Sequence, residues 1–138
     1  MKIEAELIVF GDHDLEKKNL FIGRERWTPE IADRIISETN VEKVPVYVGF
    51  PTMAGFKKKY TNITPVGKLL KLVKTERGIN AEIVFTEDGL TEIRNGRKYI
   101  ADGGNFKKSK DGFYEMLTLK AIGLTDNHCL PVTPIQLP

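Results

Sequence analysis

Two stretches alternate between apolar and polar residues regularly enough to name strands. Ile79, Ala81, Ile83 and Phe85 alternate with Asn80, Glu82 and Val84; Phe113, Glu115, Leu117, Leu119 and Ala121 alternate with Tyr114, Met116, Thr118, Lys120 and Ile122. A period of two puts one set on one face of a sheet, so both predict strands, the second being the longest of the chain. Ile3, Ala5, Leu7 and Val9 alternate in the same way before a denser apolar end, as in a strand entering a core. Val44-Pro45-Val46-Tyr47-Val48 has the β-branched and aromatic content of a fourth strand, ended by Gly49-Phe50-Pro51. In the stretch 65–75, Val66, Leu69, Leu70 and Val73 also fit a helical stripe behind Thr64-Pro65; the strand is the assignment adopted.

Helical spacing appears twice. Thr28-Pro29-Glu30 combines a hydroxyl cap, a proline at the first position and an acid near the positive end of the dipole, ahead of the stripe Ile31, Ala32, Ile35 and Ile36. This helix is expected to stop near Thr39-Asn40. Thr86-Glu87-Asp88 opens a shorter helix carrying Leu90 and Ile93, and Asn95-Gly96 closes it with residues that tolerate a left-handed backbone. Gly11-Asp12-His13-Asp14 reads as a turn and 53–62 as a basic, glycine-bearing loop. The segment 98–101 reads as a short strand, Asp102-Gly103-Gly104-Asn105 as a flexible interruption and 107–112 as a basic turn. Three prolines among the last eight residues give an extended tail. The sum is an α+β fold: one β-rich domain over 1–138, mostly antiparallel sheet or barrel, with two short helices and no repeat.

Composition narrows the function classes. A chain of 138 residues buries roughly 68–70% of its unfolded surface, so it needs no staple of disulfides or metal. Its 21 Lys and Arg against 19 Asp and Glu leave a net charge of +2, too small to argue for nucleic acid or an anionic membrane. The single cysteine, Cys129, fits a reducing compartment. Acids among the first six residues and the lack of a long apolar run give neither a signal peptide nor a membrane span, so a soluble intracellular product is expected.

Residues able to carry chemistry are few. There are two histidines, His13 and His128, and two serines, Ser37 and Ser109. A serine nucleophile needs a base within hydrogen-bond reach, which the spacing does not supply. Asp12-His13-Asp14 offers metal-ligand types, yet neighbours on an extended chain point to opposite sides; a solvated turn is the preferred reading, and no metal or cofactor is expected. Cys129 beside His128 is read as a small buried hydrophobe. Gly103-Gly104 lacks the pattern of a phosphate loop. Lys57, Lys58, Lys59, Lys107 and Lys108, interleaved with Phe56, Tyr60, Phe106 and Phe113, could form a stacking and basic surface for nucleic acid, but solvated loops fit the balanced charge better. Trp27 is most simply a staple before the first helix, with an interface role as the alternative.

Taken in order, these pieces resemble the bacteriophage head-maturation (prohead) proteases, especially the Mu-like prophage I protein family, over residues 44–132. Val44-Pro45-Val46-Tyr47-Val48-Gly49-Phe50-Pro51 is similar to the strand leading to that family's catalytic histidine, and Pro65-Val66-Gly67-Lys68-Leu69 to the strand that follows. Gly78-Ile79-Asn80-Ala81 through Phe85-Thr86-Glu87-Asp88-Gly89 resembles its next strand and short helix. Lys98-Tyr99-Ile100-Ala101 resembles the segment ending in the nucleophilic serine, and Leu119-Lys120-Ala121-Ile122-Gly123-Leu124-Thr125-Asp126-Asn127 the closing strand. The resemblance implies a herpesvirus-protease-like fold, with the N-terminal strand and helix (1–40) and the tail (131–138) outside the matched core. It also implies lost chemistry: Phe50 stands at the histidine position and Ala101 at the serine position, and neither side chain moves a proton or attacks a carbonyl.

The function expected on these grounds is a catalytically inactive, protease-like structural protein. It would bind phage capsid proteins as a decoration or minor head protein, in the virion and, during assembly, in the host cytoplasm. Trp27, Phe56, Tyr60 and Phe113 amid Lys57, Lys58, Lys59, Lys107 and Lys108 are its candidate interface, and self-association a further expectation. Two alternatives stay open: an active maturation protease using Ser109 with His13 or His128, and a small nucleic-acid-associated module.

Overall fold

Thr28 has extended backbone, and its side-chain oxygen accepts a hydrogen bond from Ile31 N (3.2 Å), so the first helix begins where a hydroxyl can satisfy an orphan donor. The structure, a computed structural model, describes residues 1–15, 23–49, 64–127 and 130–138. Within them the order is β1 (Lys2–Val9), β2 (Gly11–Asp14), β3 (Arg24–Trp27), α1 (Pro29–Glu38), a 3-10 turn (Val41–Lys43) and β4 (Pro45–Val48). Then come β5 (Gly67–Lys74), β6 (Gly78–Phe85), α2 (Glu87–Arg94), β7 (Tyr99–Lys108) and β8 (Tyr114–Thr125). The stretch 53–62, read from sequence as a loop, lies outside the described residues.

One mixed sheet runs β1-β6-β5-β4-β8-β3-β2, with β7 on the other edge of β8. It curls into a half-barrel in which β1 packs against β7. The fold is therefore α+β and mostly sheet, with two short helices among the described residues. β8 organises it: β7 runs antiparallel along one edge for its whole length. The opposite edge is shared by β3, parallel at Tyr114, and β4, parallel at Ile122–Leu124. The core gathers Leu7, Ile8, Trp27, Ile35, Leu69, Ile79, Ile83, Ile93, Ile100, Met116 and Ile122, all nearly or fully sealed from solvent. Each such side chain contributes roughly 1.5–3 kcal/mol by leaving water.

Several expectations need correction. Gly11-Asp12-His13-Asp14 is a strand, because it pairs with β3 over four residues. The supposed interruption at Asp102-Gly103-Gly104-Asn105 and the start of the basic turn belong to one ten-residue strand, β7. Gly104 is there for closeness rather than flexibility: a Cβ would lie 2.0 Å from the Thr118 carbonyl oxygen. In β8 the alternation of period two fails. Its pairing with β7 slips at Leu117 and at Lys120, and each β-bulge changes which face the next residue occupies. Hence Met116 is buried while Leu117 is 41% exposed.

Candidate functional site

β7 carries the position where the resemblance puts a nucleophile. Ala101 pairs with Gly123 of β8 and is buried, so a methyl group fills that place. Phe50 and His128 lie outside the described residues, as do Phe56, Lys57, Lys58, Lys59 and Tyr60. Ser109 closes the β7–β8 hairpin: its Oγ bonds the Asp111 carboxylate, lies 2.9 Å from the Phe113 carbonyl and accepts from Phe113 N at 3.2 Å. Ser37 is tied to the Arg34 carbonyl of its own helix (3.0 Å). His13 sits on β2 opposite Glu25, with Nε2 2.8 Å from the Val9 carbonyl. Among the described residues no hydrogen bond joins His13 to Ser109, so the fold does not bring these two into a nucleophile–base pair.

The candidate interface residues scatter. Trp27 is 2% exposed and belongs to the core, so it offers no face to a partner. Phe113 is half-buried, and two guanidinium groups lie over its ring, Arg24 at 4.7 Å and Arg26 at 4.3 Å from the ring centre, so the ring is engaged within the chain. Lys107 and Lys108 lie exposed at the end of β7, with Lys108 Nζ 5.8 Å over Tyr114.

Two groupings escaped the sequence reading. On the outer face of β3, Arg26 bonds Asp12 at 3.0 Å and Asp111 at 2.6 Å, with Glu115 at 3.6 Å. The Arg26 guanidinium, helped by Ser109, holds the Asp111 carboxyl down at about 2. This ties the β2–β3 hairpin to the β7–β8 hairpin. On the inner face, Glu25 is 3% exposed and accepts a 2.7 Å hydrogen bond from Trp27 Nε1. Burial pushes its carboxyl up to about 8, the nearby charge of Asp102 adds to this, and the indole bond opposes it. Asp102, whose carboxyl is enclosed although the residue keeps some exposed surface, is raised to about 7 by the same loss of hydration.

A two-residue period in Arg24-Glu25-Arg26-Trp27 is the one signal that could have found Glu25. It pairs Glu25 with Trp27 on one face and the two arginines on the other. Loss of hydration favours the neutral form of the Glu25 carboxyl, and the charge of Asp102 works in the same direction. Glu25 is sealed from solvent, so this pair acts on the fold rather than on a substrate. Among the described residues no group of three His, Cys, Asp or Glu side chains could hold a metal ion, and no helix is long and apolar enough to cross a membrane.

What the fold and these groupings define is a β-rich α+β domain, a curled mixed sheet with the buried Glu25 carboxyl inside it, bonded to Trp27. Comparison with protein-family models, with curated proteins and with solved structures finds no match for the chain.

Proposed function

We propose that the chain is a catalytically inactive, protease-like phage structural protein that binds capsid proteins as a decoration or minor head protein. The observation that carries this reading is Ala101. At the place where the resemblance calls for a serine, a buried methyl group stands in the β7–β8 ladder. Among the described residues, the segments that bear the resemblance fall on β4, β5, β6 with α2, β7 and β8, which also favours it. Ser109 and Ser37, the serines of the chain, are each bonded within their own turn or helix. A scaffold whose site has been replaced still offers a stable surface, and function then rests on complementarity to a partner.

The test is co-sedimentation of the purified chain with shells assembled from the major capsid protein of a phage from the same source, followed by electrophoresis of the shell protein. Saturable co-sedimentation with the shell protein intact is the expected result. Failure to bind would overturn the proposal; cleavage that vanishes in Ser109→Ala, or labelling by a serine-directed phosphonate, would overturn it and restore the protease.

A further inference from the structure

Between the place where β3 leaves β8 and the place where β4 joins it, β8 has no strand neighbour on the side facing α1, among the described residues. Arg34 of α1 partly fills this gap by donating to the carbonyls of Leu117 (2.9 Å) and Met116 (2.5 Å). Just beyond it lies a cleft of about 240 Å³ between the C-terminal end of α1 and the doubly bulged stretch of β8. That volume is below the range of about 300–1,000 Å³ typical of pockets for whole cofactors or drug-sized ligands, and suits one large side chain.

The lining is ordered by chemistry. Buried Ile35, Val44 and Leu119 supply an apolar floor. Lys43 and Lys120, both exposed, supply two ammonium groups at the rim, and neither forms an ion pair with any described residue. The one acid of the lining, Glu38, faces Arg34 at 3.9 Å, so its charge is answered from within its own helix. Thr118, in the same wall, has its Oγ1 buried without a hydrogen-bond partner. Such an orphan is costly, so this wall of the cleft is held by its packing and not by that hydroxyl.

We propose that this cleft docks an extended acidic peptide segment of a partner protein. One apolar side chain sits on Ile35, Val44 and Leu119, and the carboxylate of the next residue lies between Lys43 and Lys120. The peptide backbone runs along the strandless edge at Thr118 to Lys120, as in strand addition to an open sheet edge. The charge of the rim selects an acid over an amide, and the depth of the floor selects an apolar neighbour. This deepens the binding-protein reading by naming the chemistry of the partner, and it rests on that reading.

The test uses the full chain labelled with nitrogen-15 and the synthetic peptide acetyl-Val-Leu-Asp-Val-amide, followed by amide chemical shifts. Saturable shifts are expected at Thr39 to Val44 and Leu117 to Lys120. The Asn analogue of the peptide, and the double variant Lys43→Ala/Lys120→Ala, are each expected to bind about tenfold more weakly, as two partly exposed charge contacts would allow. Both lysines are exposed, so the variant should fold, and its unperturbed spectrum is the control. Absence of saturable shifts at millimolar peptide, shifts centred elsewhere, or equal affinity for the Asp and Asn peptides would each overturn the docking site. Because no capsid protein is present, such a failure is separate from the co-sedimentation result, which tests the binding-protein reading alone.

Discussion

Replacing Glu25 by Gln tests the buried acid pair directly. The Gln side chain keeps the shape of Glu and an oxygen to accept the 2.7 Å bond from Trp27 Nε1, but it cannot ionise. In the native protein the Glu25 carboxyl is carried from its ordinary 4.5 to about 8, chiefly by burial. The folded state thus holds its proton more tightly than the unfolded chain does. Between these two pH values the unfolded state binds fewer protons, so stability is fully present below about pH 4.5 and declines as pH rises toward 8. At about 1.4 kcal/mol per tenfold in proton affinity, the loss is on the order of 5 kcal/mol. A domain of this size has only about 5–15 kcal/mol in total. Asp102 adds a slope of the same sign, because burial raises it as well. The assay is urea unfolding at a series of pH values from 5 to 9, read by the fluorescence of Trp27, the single tryptophan. The wild-type midpoint should fall steadily across this range. Glu25→Gln should match it near pH 5, exceed it by several kcal/mol near pH 8 and retain only the shallower slope owed to Asp102. A wild-type midpoint that is flat or rises with pH, or a variant that parallels the wild type, would refute the reasoning.

Other predictions follow from single residues. Thr118→Val removes a buried hydroxyl that has no partner while keeping the β-branched shape suited to a strand, so the free protein should gain about 1–2 kcal/mol in the same unfolding assay; a loss of stability would show that the hydroxyl is satisfied. Gly104→Ala places a Cβ 2.0 Å from the Thr118 carbonyl oxygen, where backbone must move, and should cost about 1–3 kcal/mol or more; a neutral effect would contradict the close approach of β7 and β8. Ala101→Ser buries a hydroxyl at the supposed nucleophile position and should cost about 1–3 kcal/mol without producing any hydrolysis of an activated ester; acquired turnover would mean that a base stands nearby.

The elements that were legible in the sequence are those governed by local chemistry. Thr28 and Thr86 cap their helices, accepting from Ile31 N at 3.2 Å and Gly89 N at 3.1 Å, because a hydroxyl before a helix is a local arrangement. Gly96 has a left-handed backbone at φ +114° after α2, as Asn95-Gly96 implied. The alternation of β6 holds because the register slips against its neighbours fall in β1 at Leu7 and in β5 at Leu70, leaving β6 itself continuous. What was illegible depends on distant partners. The Gly103-Gly104 pair reads as a break until Thr118 presses against it from β8. The bulges at Leu117 and Lys120 invert an alternation that looked regular, moving Met116 inward. Glu25 and Asp102 look like surface acids in a charged chain, and only the curl of the sheet encloses them. Of the candidate site, the sequence offered residue types; their separation, as with His13 and Ser109, comes from topology.

The central claim is that this chain serves as a stoichiometric binding protein rather than a catalyst. Its most direct test is the copy number of the chain relative to the major capsid protein in purified particles, measured by quantitative mass spectrometry with labelled standard peptides. The account expects many intact copies per particle, in a fixed ratio to the capsid lattice. A trace amount, or fragments alone, would contradict it.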